Sequence, residues 1–300
     1  MQISRREWMA ASAAIAGAAA VAGTVKASAQ TGGDALRLPK LSLAAYSFRQ
    51  YLPQDGKPGK IMLADFFDLA ASWGLTAAEP TGYYFTSEEF PYVHSLKAAA
   101  HKLGIDISGT AIRNDFCDPD AVKRKADITY VKRWVDIALH LGAPHIRVFA
   151  GNPHAGVSDE QATVWAIECL KECADYAGTQ GVYLGIENHG YLTTSGDTLM
   201  KVAESVNHEW LGINLDTGNF DSNPYENIAR AVPRAVNVQL KLDVAGDKPK
   251  SKVPADFARI FKILRDGGYQ GYVALEYEGK EDPYTGVPKF IEDARRGLSA

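Results

Sequence analysis

The chain predicts an α/β fold of the (β/α)8 barrel class, in a single domain. Three observations lead there. Short strand-like runs alternate with stretches of helical period, glycines fall where the helices should stop, and no Gly-rich phosphate turn follows the first strand, as a doubly wound open sheet would normally require.

The strands are read at 41–48, 75–80, 105–112, 145–150, 182–188, 211–216, 236–241 and 272–277. The helical stretches between and after them are 63–73, 93–103, 121–141, 159–179, 198–206, 225–231, 256–266 and 287–297. Gly74, Gly104, Gly142, Gly181 and Gly268 each follow such a stretch, as expected of residues that tolerate a left-handed cap. No shift of composition marks a second domain within 41–300.

Composition narrows the function classes. With 46% hydrophobic and 23% charged residues, the chain is that of an ordinary globular protein rather than a disordered or fibrous one. Three cysteines are too few for a disulfide framework. A net charge of −4 leaves no electrostatic footprint for nucleic acid.

The first residues form a separate object. Ser4-Arg5-Arg6-Glu7-Trp8-Met9 precedes an Ala- and Gly-rich apolar run over 10–23 and the small-residue sequence Ala27-Ser28-Ala29. This order of basic, apolar and small-x-small regions is that of a secretory signal, and the arginine pair resembles the twin-arginine type. The run is too short and too alanine-rich for a span, which needs about 20 strongly apolar residues. Residues 1–29 are therefore expected to be a cleaved signal and 30–40 a linker. The expected destination is the periplasm or the medium, with the twin-arginine export machinery as a partner and no stable membrane anchor. Homo-oligomerisation is left open.

In (β/α)8 barrels the chemistry sits at the C-terminal strand ends, and four late strands carry polar side chains there. Side chains alternate along a strand. If Leu184, Ile186, Ile213, Leu215, Val238, Leu240, Val273 and Leu275 face the helices, then Glu187, Asp216, Gln239 and Glu276 face the barrel axis at one height. Asn214, Asn237 and Ala274 lie one layer below, and Lys241 one layer above. Three carboxylates this close repel and raise one another's pKa. A divalent cation would relieve this, and an all-oxygen set favours Mn²⁺ or Mg²⁺. The competing arrangement has each carboxylate capping a helix or pairing with an Arg or Lys.

The pattern resembles the xylose isomerase-like barrel (TIM barrel) superfamily, often labelled sugar phosphate isomerase/epimerase, over essentially all of 41–300. The similar segments are Ser108-Gly-Thr-Ala-Ile-Arg-Asn-Asp-Phe116, Ile186-Glu-Asn-His-Gly190 and Leu215-Asp-Thr-Gly-Asn219. The resemblance implies metal ligands at Glu187, Asp216, Gln239 and Glu276, with Glu187 and Glu276 also acting as the acid/base pair. It implies isomerisation or epimerisation of a sugar or keto-sugar through an enediolate. Two departures stand out: Gln239 replaces the usual histidine of strand seven, and Asn219 stands where the epimerases often carry histidine.

Substrate contacts are expected from Glu79, His189, Asn219, Lys241, Arg147, Tyr46 and Phe116 near the strand ends. A lyase or dehydratase would use the same enolate, acting on a keto-sugar or a 3-keto-glycoside. A non-catalytic sugar-binding barrel is kept open by Gln239. An apurinic endonuclease would need additional histidines and a basic face, neither of which the chain supplies.

Overall fold

A computed structural model describes residues 38–300; the expected signal, and most of the expected linker, lie outside the described residues. The sheet strands are β1 (Lys40–Ala44), β2 (Ala77–Glu79), β3 (Asp106–Ile107), β4 (Thr110–Ala111), β5 (His145–Val148), β6 (Tyr183–Glu187), β7 (Leu211–Asp216), β8 (Ala235–Leu240) and β11 (Tyr272–Leu275). They follow one another in the order β3-β2-β1-β11-β8-β7-β6-β5-β4, and every pairing is parallel. β3 and β4 are two halves of the expected third strand, separated by Ser108 and Gly109. One half pairs with β2 and the other with β5, so the sheet closes on itself into the expected eight-position barrel.

The break in the third strand has a local cause. A Cβ on Gly109 would lie 1.9 Å from Cε1 of the fully buried His145 ring. Only a glycine lets that ring in, and its entry interrupts the ladder. Ser42 Oγ and Ser108 Oγ meet at 2.6 Å beside the break.

The helices are α1 (Leu63–Ser72), α2 (Phe90–Lys102), α3 (Ala121–Leu141), α4 (Asp159–Gln180), α5 (Gly196–Val206), α6 (Pro224–Ala231), α7 (Phe257–Asp266) and α8 (Pro283–Ser299). Capping follows the sequence. Asp120 accepts from Val122 N at 2.8 Å and Ser158 from Gln161 N at 3.2 Å, satisfying amides that have no partner within the helix. α3 and α4 end on Gly142 (φ 86°) and Gly181 (φ 70°), in the left-handed region. On α7, Ile260, Phe261 and Leu264 turn inward, the stripe that packs a helix onto the sheet. Among the described residues no helix is long and apolar enough to cross a membrane.

Two features were not expected. An antiparallel hairpin, β9 (Asp243–Ala245) with β10 (Lys252–Pro254), follows β8 and walls one side of the barrel mouth. Between β7 and β8 the register slips, with Ile213 opposite Ala235 but Asn214 opposite Asn237, so Val236 is an extra residue. Its side chain fills the space left by Gly212, where a Cβ would meet Val236 Cγ1 at 2.2 Å.

Candidate active site

The predicted inward faces are the observed ones, but the expected single height is not: Glu187 stands opposite Asn214, Asp216 opposite Gln239 and Gln239 opposite Ala274, because neighbouring strands are staggered around the barrel. Just below the barrel mouth, Asn237 Nδ2 donates to Asn214 Oδ1 and to Glu79 Oε2, both at 2.8 Å. Gln239 Nε2 donates to Glu79 Oε1 at 2.9 Å, while Gln239 Oε1 accepts from Asn214 Nδ2 at 2.8 Å. All four side chains are buried. Burial, with Glu276 nearby, pushes the Glu79 carboxyl up to about 7 against the pull of its amide partners.

Above this layer the three expected carboxylates converge, each with a basic partner. Arg147, at the end of β5, brings Nε to 2.9 Å from Glu187 Oε2, and both side chains are nearly inaccessible. Nη1 of the same guanidinium donates to Tyr83 Oη and to Ile112 O, both at 3.0 Å. Asn219 Nδ2 donates to Glu187 Oε1 at 3.0 Å. Lys241 brings Nζ to 2.5 Å from Glu276 Oε1, 2.5 Å from Glu278 Oε2 and 3.5 Å from Asp216 Oδ2.

The backbone around these groups is held by side chains that sequence reasoning passed over. Asn188 clamps the end of β7, donating to Asp216 O and accepting from Asp216 N, both at 2.8 Å. Thr217 Oγ1 accepts from Lys241 N at 3.0 Å, and Asp216 Oδ1 accepts from Gly218 N at 2.8 Å. Asp216 Oδ2 is buried with no hydrogen-bond partner.

Electrostatics follow from burial and these neighbours. Burial raises Glu187, opposed by Arg147 and reinforced by Asp216 and Glu276. Burial likewise pushes Asp216 up, against the pull of Lys241. For Lys241, burial works against the ammonium, but Asp216, Glu276 and Glu278 outweigh it and hold the pKa well above the usual lysine value. Burial also works against the charged form of Glu278, and Lys241 more than compensates, leaving its pKa lowered. His189, stacked on Phe149 with ring centroids 4.3 Å apart, is driven down to about 4 by burial, Arg147 and Lys241, and is neutral at pH 7.

A cavity of about 250 Å³ opens over this cluster. Of the expected acid/base and substrate-contact residues, it is lined by Glu187, Glu276, Arg147, His189, Asn219, Lys241 and Tyr46. Two expectations are corrected. Phe116 is fully buried in the apolar core, and Glu79 lies in the amide network beneath the cavity, so neither reaches a bound molecule. Tyr83, Arg113, Phe149 and Glu278 complete the lining. Glu278 was legible, because it stands two residues beyond Glu276 and so on the same face.

The sequence profile of the xylose isomerase-like TIM barrel family matches residues 67–296. The chain belongs to this family. Among xylose isomerase-like relatives, a 2-oxo-tetronate isomerase of Haemophilus influenzae is 23% identical over 236 residues, covering 71% of this chain and 90% of that one. A mouse protein provisionally named a hydroxypyruvate isomerase is 26% identical over 162 residues; the match spans 49% of this chain and only 58% of the mouse protein. Two solved structures share the fold. One is a xylose isomerase-like TIM barrel protein of Mycobacterium smegmatis in complex with magnesium (TM-score 0.69, 17% identity, covering 87% of this chain and 96% of that one). The other is the IOLI protein with a bound zinc atom (TM-score 0.67, 18% identity, covering 86% and 96%).

Whether the donors of this xylose isomerase-like barrel fit such an ion is decided by their partners. Among the described residues no group of three or more His, Cys, Asp or Glu is arranged to hold a metal. Gln239, expected as the fourth oxygen ligand, spends its oxygen on Asn214 and its nitrogen on Glu79. Glu187 is paired with Arg147, and Asp216 and Glu276 with Lys241. This is the competing arrangement that the sequence allowed, and as arranged these residues do not fit a divalent ion.

Proposed function

We propose that this barrel mouth transfers protons on a small hydroxy-carbonyl compound, as an isomerase or epimerase of a sugar, keto-sugar or short hydroxy-keto acid. The observation that carries the reading is that Glu187 and Glu276 line one cavity, each beside a cation, Arg147 and Lys241 respectively.

The chemistry follows from that arrangement. One carboxylate removes the proton from the carbon between the hydroxyl and the carbonyl, and the electron pair moves onto the carbonyl oxygen as an enediolate. Burial raises Glu187 and makes its carboxylate a stronger base than a solvent-exposed glutamate. The developing oxyanion falls within reach of the Arg147 guanidinium or the Lys241 ammonium, where fixed positive charge in a water-poor site is most effective. Return of the proton to the neighbouring carbon, with the hydroxyl proton passing to the former carbonyl oxygen as the hydroxyl-bearing carbon becomes the new carbonyl, isomerises the substrate. Return to the other face of the same carbon, from the second carboxyl, epimerises it. Neither route passes a step through a metal ion.

Arg113 supports a substrate with a carboxylate. Its guanidinium lies 4.6 Å from the Tyr83 ring centroid at the cavity wall, exposed to solvent. A planar fork in that place matches a carboxylate in two hydrogen bonds. The names of the Haemophilus and mouse relatives point to the same class of 2-oxo acids. Export of the mature chain by the twin-arginine route belongs to this proposal, and N-terminal sequencing of the protein recovered from cell envelopes tests it.

The reading is tested by incubating the purified chain in heavy water with 2-oxo acids bearing a 3-hydroxyl and with ketohexoses. The expected result is a product of unchanged composition carrying solvent deuterium at the exchanged carbon. Release of water or an aglycone would replace this reading with the lyase. Binding without exchange in any substrate would replace it with the sugar-binding barrel.

A further inference from the structure

The chain places its own cation among the carboxylates that would otherwise coordinate a metal. We propose that the Lys241 ammonium is the resident cation of this site, standing where a divalent ion would have to bind and keeping it out. Three carboxylate oxygens from three residues surround Nζ: Glu276 and Glu278 at 2.5 Å and Asp216 at 3.5 Å. The Lys241 side chain is 9% exposed, so these carboxylates, rather than solvent, provide most of its polar surroundings.

Three further facts close the site to a metal. A hard divalent ion takes six or more oxygens at roughly 2.0–2.6 Å, and an ammonium sharing the same oxygens both blocks the approach and repels the charge. Gln239 replaces a stronger imidazole ligand with an amide whose two ends are already bonded within a buried network. Glu187, the remaining carboxylate, is taken by Arg147. The side chain that keeps the metal out also supplies positive charge at the oxygen-binding position. That catalytic consequence rests on the proton-transfer reading above; the exclusion of the ion does not.

The test is uptake of Mn²⁺ without substrate. The purified full chain, stripped with chelator, is dialysed against Mn²⁺ and its content read by electron paramagnetic resonance and elemental analysis. Wild type and Lys241→Arg, which keeps the charge, are expected to hold almost none. Lys241→Ala and the more nearly isosteric Lys241→Gln, which leave the carboxylates uncompensated, are expected to bind about one ion per chain, with a melting temperature that rises with Mn²⁺ through mass action. That rise reads the same result in a variant that folds poorly without the ion. About one Mn²⁺ in wild type, lost in Asp216→Asn, overturns the proposal. Uptake by neither wild type nor the two neutral variants overturns it as well, since Lys241 would then not be what excludes the metal. Because substrate is absent, these outcomes are independent of the deuterium-exchange experiment.

Discussion

Arg147 and Glu187 meet at 2.9 Å across the adjacent strands β5 and β6, almost completely removed from solvent. Arg147 stands opposite Gly185 in the ladder, so its side chain reaches along the barrel axis to the carboxylate two residues further on. Removing one member of such a pair strands the other as a buried charge, at a cost of about 3–5 kcal/mol. Arg147→Met is expected to destabilise the fold by about that much and to raise the Glu187 pKa further. Denaturant titration measures the first, and a shift of the low-pH limb of the activity profile to higher pH measures the second. Glu187→Gln keeps the shape while removing the base, and should lower deuterium exchange about 10²–10⁴-fold. Because it leaves the Arg147 charge buried and unpaired, it should also lower the melting temperature, at a cost in stability of the same order as Arg147→Met.

Glu79 makes stability depend on pH in an unusual direction. Its folded pKa of about 7 lies above the ordinary 4.5, so between these values the folded state holds more protons than the unfolded one, and stability falls as pH rises. The contribution of the protonated group is fully present below about pH 4.5 and is lost through pH 7. Comparing denaturation midpoints at pH 5 and pH 7.5 is expected to show a decline in wild type and a smaller one in Glu79→Gln. Equal declines would assign the dependence to other groups.

Gly109 should not tolerate a side chain. A Cβ at 1.9 Å from a buried imidazole must displace either His145 or the strand break that closes the barrel. Overpacking of this kind costs about 1–3 kcal/mol, so Gly109→Ala is expected to lower the melting temperature by several degrees. The double variant Gly109→Ala with His145→Ala should recover much of that loss relative to His145→Ala alone.

Arg113 offers a separate handle on the substrate. Its exposed guanidinium at the cavity wall takes part in no ion pair among the described residues. Losing a charged hydrogen bond costs about 1.5–3 kcal/mol. Arg113→Met is therefore expected to raise KM for carboxylate-bearing substrates roughly tenfold or more, with a smaller change in kcat. Steady-state kinetics against a neutral ketose, whose KM should change little, provides the contrast.

Much of the barrel was legible because its signals are local. Helical period, capping residues and terminal glycines predict α3 at 121–141 as observed, and α4 ends within one residue of its expected limit. The strand breaks are harder to read. Gly109 looks like any strand glycine until His145, distant in sequence, is known to need its space. The hairpin β9–β10 was missed because its strands are only three residues each, too short for alternation to register.

The alternation of polar and apolar residues on the last four barrel strands was enough to turn Glu187, Asp216, Gln239 and Glu276 inward, because a strand side chain has only two faces to choose from. It could not say what those groups would bond to. Gln239 is bonded at both ends of its amide, to Glu79 and Asn214 from other strands, and Lys241 reaches Glu276 and Glu278 beyond β11. Which charge neutralises a buried carboxylate depends on distances of a few ångströms between residues far apart in sequence, set by the register of the closed barrel and by the slip at Val236. Sequence period determined the direction of each side chain, and barrel closure determined that Arg147 and Lys241 stand beside the carboxylates.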